Sequence, residues 1–233
     1  MLAPVSFLIL LFSCPCSFSF FSSFSAQILT APLPLFPFVI LPLPLFFLFL
    51  SSSTYSLFHW AAYADKYGGT VQETTLYGAT VKVNEPVGVI GIACPEEYPL
   101  LGFVSLFAPA VVRGNTVVVI PSQKYPISAV DLYQVFETSD VPAGVVNIVT
   151  GNSDHLAKYL VEHQDIDAMW YFGSAEGSRF IEFTSAGNVK RTWVNYGYDR
   201  DWLDAQQGQG EEFLLHSTEC KNIWLPMGTI FAN

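Results

Sequence analysis

Residues 85–122 read Glu85-Pro-Val-Gly-Val-Ile-Gly-Ile-Ala-Cys94, then Pro95-Glu-Glu-Tyr-Pro-Leu-Leu101, an apolar run to Val112, and Arg113-Gly-Asn-Thr-Val-Val-Val-Ile-Pro-Ser122. Val87 to Cys94 is a continuous apolar run of strand length, and Leu100 to Val112 is apolar over the length of a helix. Gly114-Asn115 closes that helix as a C-cap, and Thr116 to Ile120 is a β-branched strand ended by Pro121-Ser122. Strand, helix and strand within so few residues make one parallel crossover unit.

The unit repeats toward the C-terminus. Helix is expected over Ser128–Glu137, with Ser128 as N-cap, over Ser153–His163 and over Glu176–Ala186; strand is expected over Val145–Val149, Ile166–Phe172 and Arg191–Asn195. Upstream, Ala61–Tyr67 has helical composition and Thr80–Asn84 alternates like a half-exposed strand. Apolar strands separated by helices predict an α/β fold with a parallel five-stranded sheet and helices on both faces.

Composition splits the 233 residues in two. All 30 charged side chains, and with them the net charge of −10, follow residue 64. An acidic domain without a Lys/Arg stripe is not built to replace counterions, so no nucleic acid partner is expected. Of the first 53 residues, 40 are Phe, Leu, Pro or Ser. Residues 1–57 are therefore set apart as an unstructured, low-complexity hydrophobic leader, and residues 58–233 as the folded domain, with its core at 85–199.

The leader has three readings. Its lack of a basic start makes it a poor signal peptide. Ala31–Leu50 is long enough for a membrane anchor, but Pro32, Pro34, Pro37, Pro42 and Pro44 would leave backbone groups that lipid cannot satisfy. Phe, Leu, Pro and Ser are also the residues that pyrimidine-rich DNA encodes, which suggests a translated intron or an alternative start. A soluble low-complexity tail is the third reading. With the anchor disfavoured, and Cys94 and Cys220 the cysteines outside the leader, a reducing, cytoplasmic setting is expected; a real 31–50 segment would make the protein membrane-associated.

In parallel sheets ligands sit beyond the carboxyl ends of the strands, where a phosphate can meet a helix N-terminus. Pro121-Ser122, Thr150-Gly151-Asn152 and Gly173-Ser174-Ala175-Glu176 lie there. Each also reads as an ordinary turn. No Walker loop, zinc spacing or Gly-x-Ser-x-Gly elbow occurs, so no metal site is expected. Asp199-Arg-Asp-Trp-Leu-Asp204 lacks the glycine and distal Glu of a calcium loop and reads as a solvated, helix-starting face. Gln206–Gly210 reads as a linker. Glu211–His216 and Ile223–Pro226 read as a short closing element whose apolar side chains need a partner surface, in this chain or another.

Glu85-Pro-Val-Gly88, Gly114-Asn-Thr-Val-Val118, Pro142-Ala-Gly-Val-Val-Asn-Ile-Val-Thr-Gly151 and Gly173-Ser174 occur in the order and at nearly the spacing of the aldehyde dehydrogenases. Roughly residues 60–200 resemble the NAD-binding, Rossmann-like half of that superfamily, most closely the degenerate C-terminal domain of family 16 members. The resemblance implies that Pro121, Ser122, Gly151, Gly173, Ser174 and Glu176 are cofactor-binding, with Gly173 and Ser174 receiving the pyrophosphate and Pro121-Ser122 lining the adenosine ribose.

The motifs depart from the family where chemistry is needed. Pro-Trp-Asn-Phe-Pro reads Pro95-Glu96-Glu97-Tyr98-Pro99, which puts a carboxylate where an oxyanion-stabilising amide belongs. The Lys of Lys-Pro-Ser is Ile120, and Glu-Leu-Gly-Gly-Lys reads Asn195-Tyr-Gly-Tyr-Asp199, so the general base is an amide. No Gly-Gln-x-Cys context follows. The expectation is a pseudoenzyme or scaffold with no catalytic residues and weak or lost NAD binding, assembling with another domain of the same protein or with a protein partner. The alternative is an NAD-dependent oxidoreductase acting on aldehydes, its nucleophile supplied by a missing region or by Cys220, which would have to become an activated thiolate. Cys94 reads as a small core residue.

Overall fold

The computed structural model describes residues 43–74 and 78–226. Its first element, helix α1 (Leu43–Tyr63), crosses the boundary set by composition at residues 57/58. Residues 43–57 are therefore not the unstructured leader expected. The cause is burial. Leu57 and Trp60 are buried, and the Trp60 ring, fully enclosed, meets Phe213 with ring centroids 5.8 Å apart. Pro44 falls at the second helical position, where a missing backbone donor is harmless. Ser53 and Thr54 return their hydroxyls to the carbonyls of Phe49 and Leu50 at 2.8 and 2.9 Å, so these two side chains are satisfied inside the helix. The rest of the expected leader, residues 1–42, lies outside the described residues, and most of the 31–50 segment with it. Among the described residues no helix is long and apolar enough to cross a membrane.

Five strands form the central sheet: β3 (Val89–Ala93), β4 (Thr116–Ile120), β5 (Val146–Ile148), β6 (Ala168–Tyr171) and β7 (Arg191–Val194). They pair in parallel in the order β5-β4-β3-β6-β7. The chain thus builds outward from β3 on one side and then returns to its other flank, which puts the topological switch between β3 and β6. The crossovers are α2 (Pro99–Val112), α3 (Ile127–Thr138), α4 (Ser153–Glu162) and α5 (Ala175–Ser185).

Side-chain alternation divides the core. Ile90, Ile92, Val117, Val119, Ala168 and Trp170 face the larger cluster, with α1, α2 and α3 against it. Ala93, Ile120, Met169 and Tyr171 face the smaller one, closed by Ala157 and Val161 of α4 and Ile181 of α5. Every residue of α2 from Leu101 to Val112 is buried, as a helix apolar on all sides requires. Helix α3 begins at Ile127 without a side-chain cap, and Ser128 instead donates to the Tyr125 carbonyl at 3.1 Å, which corrects the expected N-cap.

The segment after β7 closes the molecule. Gln206–Gly210 is not a linker: helix α6 (Ala205–Gln209) is capped by the Asp204 carboxylate, which accepts from the amides of Gln206 and Gln207 at 3.0 and 2.9 Å. Helix α7 (Glu211–His216) drives Phe213 and Leu214 into the core. The Arg200 guanidinium lies 5.0–5.9 Å from the rings of Phe172, Trp193, Trp202 and Phe213 and pairs with Glu212 at 2.8 Å. Strand β8 (Thr218–Pro226) then joins β1 (Thr70–Thr74) and β2 (Gly78–Pro86) in an antiparallel sheet of order β1-β2-β8. This chain supplies the partner surface for Phe213 and Leu214 of the closing element, whereas Ile223, Trp224 and Leu225 on β8 stay exposed. The buried Asn115 fastens the junction: its amide donates to the carbonyls of Ala110 and Ser217 at 2.9 and 2.8 Å and accepts from Gly88 N–H at 3.0 Å.

Candidate functional site

The carboxyl ends of β4, β5 and β6 carry the loops singled out in the sequence, and helices α4 and α5 start there. Asn152 caps α4 by accepting from His155 N–H at 2.9 Å, and Ser174 caps α5 by accepting from Gly177 N–H at 3.1 Å. Between the two helix starts lies a cavity of about 400 Å³, with Asp154, Lys158, Tyr171, Ser174, Glu176 and Gly177 around its polar part and Phe180 and Ile181 on its apolar wall. Ser174 and Glu176 are thus brought into one cavity. Gly173 adjoins it, but its N–H is held by Asn195 Oδ1 at 3.1 Å. A side chain at Gly151 would meet Leu156 of α4.

Tyr171 shapes this cavity. Its hydroxyl donates to Asp154 Oδ1 at 2.7 Å and lies 3.5 Å from Ser174 Oγ. Burial pushes the phenol's pKa up, and the Asp154 carboxylate pushes it the same way. The ring lies against the two glycines: a Cβ on Gly173 or on Gly177 would come within 2.6 Å of Tyr171 Cζ. Space those glycines would leave for a ligand's close approach is filled by the chain's own side chain.

Pro121 and Ser122 are buried at the end of β4. The Ser122 hydroxyl donates to Glu96 Oε2 at 2.7 Å, Gln123 N–H to Glu96 Oε1 at 2.8 Å and Lys124 N–H to Glu96 Oε2 at 3.2 Å. Partial burial raises the Glu96 pKa, but the hydroxyl, the two amides and the Lys124 charge together outweigh it and hold the carboxyl below its ordinary value. Gln123 Oε1 in turn accepts from Ser153 N–H at 3.3 Å, so this loop borders the α4 end of the cavity. Glu96, Tyr171, Asp154, Lys158 and Gly177 are not among the site residues expected from the sequence. The one available signal was a pair of acids directly after a buried strand, at Pro95-Glu96-Glu97.

The residues carrying the altered motifs are also placed. Asn195 Oδ1 accepts from Gly173 and Gly197 N–H at 3.1 and 3.2 Å, and its Nδ2 donates to the Tyr198 carbonyl at 3.2 Å. Its amide braces a turn. Cys220 stands on β8 opposite Asn84, in the antiparallel sheet, away from the strand ends where a nucleotide fold holds its ligand. Cys94 is fully buried, and burial, with Glu96 adding to it, pushes the thiol far above the range in which a thiolate forms.

A parallel sheet with this order, the helix starts around its cavity and the quoted motifs accompany a direct match: the aldehyde dehydrogenase family profile covers residues 51–199, well over half of the 233. The chain belongs to the aldehyde dehydrogenase family. It is 37% identical over 140 residues to an NADP/NAD-dependent aldehyde dehydrogenase of Escherichia coli, covering 59% of this chain and 28% of that protein. It is 33% identical over 140 residues to a betaine aldehyde dehydrogenase of Bacillus subtilis, covering 60% and 29%. Among solved structures, the NAD+ complex of aldehyde dehydrogenase from Bacillus cereus superimposes with a TM-score of 0.60 at 27% identity, over 62% of this chain and 30% of that one. An indole-3-acetaldehyde dehydrogenase from P. syringae gives 0.59 at 29%, again over 62% and 30%. The aldehyde dehydrogenase fold is therefore present here as less than a third of the length of these relatives.

The family implies a nicotinamide dinucleotide, and the residues present do not fit one well. The Gly173/Gly177 recess is filled by Tyr171, and the cavity sets the carboxylates of Asp154 and Glu176 against Lys158. A pyrophosphate entering there meets more negative than positive charge.

Proposed function

We propose that this chain is a catalytically silent aldehyde dehydrogenase domain that works by assembly, with another domain of the same protein or with a protein partner, and whose NAD binding is weak or lost. The observation that carries the reading is the Asn195 amide. At the position where the family motif has its Glu, this side chain is spent on Gly173, Gly197 and Tyr198 and has no means of taking a proton near neutral pH. Glu97 adds a carboxylate where the family motif has an amide. The Cys220 form of the oxidoreductase alternative needs that thiol at the ligand end of the parallel sheet, and the pairing of β8 with β2 speaks against it; the form with a nucleophile from another region does not depend on Cys220. Cys94 and Cys220 are free thiols, in keeping with a reducing compartment such as the cytoplasm.

Calorimetric titration of NAD into the full chain tests the cofactor part, with Ser174→Asp as control. Binding weaker than about 1 mM, or none, supports the proposal. Tight, saturable binding abolished by Ser174→Asp would overturn it.

A further inference from the structure

Glu96 leaves the end of β3 and reaches across to the loop after β4, where three donors converge on its carboxylate: the Ser122 hydroxyl and two successive backbone amides, at 2.7, 2.8 and 3.2 Å. Consecutive N–H groups with a hydroxyl beside them form a concave anion-binding nest at the ligand edge of a parallel sheet. Among the described residues no other acceptor takes these donors; Ser122 Oγ additionally accepts from Tyr125 N–H at 3.4 Å. Ser122 is fully buried, so its hydroxyl has no water to turn to if Glu96 is withdrawn. Lys124 adds positive charge at the same point.

We infer that the loop after β4 is an anion cradle filled by the chain's own Glu96, and that this internal carboxylate excludes a phosphate group from the rim, the 2′-phosphate of NADP included. Two physical terms enforce the exclusion. The donors a phosphate would need are already consumed, and an incoming dianion would face a fixed like charge within a few ångströms. An unphosphorylated ribose is spared the repulsion, because its hydroxyls donate to a carboxylate. Gln123 carries this rim to the start of α4 through Ser153, so the exclusion acts on the border of the cavity between α4 and α5.

The test uses the full chain, wild type and Glu96→Ala, titrated calorimetrically with inorganic phosphate and, separately, with NAD and NADP. Only the nucleotide arm rests on the family reading of the cavity. The wild type should not bind phosphate. Glu96→Ala should bind it at least about ten-fold more tightly, through donors otherwise left unpaired, and Ser122→Ala added to that variant should remove the gain. NADP affinity should rise in Glu96→Ala relative to NAD. Should Glu96→Ala not fold, Glu96→Gln keeps the volume, removes the charge and should show the same gain at smaller size. Equal phosphate binding by wild type and variant, or no gain in any folded variant, overturns the inference. Phosphate gain with no nucleotide bound by any variant leaves the cradle standing and counts against nucleotide binding at the cavity instead.

Discussion

Asn195 Oδ1 accepts the Gly173 amide at 3.1 Å, tying the exit of β7 to the exit of β6 at the edge of the cavity. The same oxygen holds Gly197 N–H, so Asn195→Ala strands two donors and should cost about 1–3 kcal/mol in denaturant unfolding. Asn195→Asp, which keeps the acceptor, should cost less. Asn195→Glu restores the family's residue type, and the account expects no NADH formation from it, because the surrounding turn is built for the shorter side chain.

The closing segment should prove integral to the domain. Phe213 is fully buried against Trp60 and Trp193, with ring centroids at 5.8 and 5.1 Å. Phe213→Ala should destabilise by about 3–5 kcal/mol and Trp60→Ala by a similar amount. A small effect at Trp60 would mean that α1 is not part of the core.

Much of this could be read from residues, and what could not has physical causes. Val87–Cys94, Leu100–Val112 and Thr116–Ile120 gave their elements to within a few residues because burial on both sheet faces writes continuous apolar runs. The helical state of residues 43–57 was hidden, since a Phe/Leu/Ser stretch declares neither period nor partner until Trp60 is seen against Phe213. Strand β8 was hidden for a related reason: its partner β2 lies about 140 residues upstream, as Lys221 opposite Val83 illustrates. The turn that carries Ser174 and Glu176 was legible because caps and turns have local signatures. Glu96 and Tyr171 were not, because their roles come from loops and helices that meet only in three dimensions.

Gly177 and Tyr171 should behave as a coupled pair. A Cβ at position 177 meets the phenol ring, so Gly177→Ala should destabilise the wild type by about 1–3 kcal/mol. In a Tyr171→Leu background the same change should cost less, and a thermodynamic cycle reads the difference directly. Strict additivity would show that Tyr171 does not occupy this recess in solution.

His216 should make stability pH-dependent. Its ring stacks on Trp193 at 4.3 Å, and burial lowers its pKa; Arg191 and Arg200 lower it further, while Glu212 opposes them. A depressed folded value means that the contribution is full above the ordinary 6.5 and is lost as pH falls through the folded value. Unfolding free energies at about pH 7.5 and about pH 5.5 should therefore diverge more for wild type than for His216→Phe. An unchanged difference would assign the acid sensitivity to other groups, of which the half-buried His59 is the first to examine.

The most direct measurement is NADH formation by the purified full chain with a panel of aliphatic and aromatic aldehydes, run beside Cys220→Ala and Cys94→Ala. No turnover above background is expected in any of the three. Turnover by the wild type that vanishes in Cys220→Ala would contradict it, because a nucleophile would then be operating from a strand that the fold places in the antiparallel sheet.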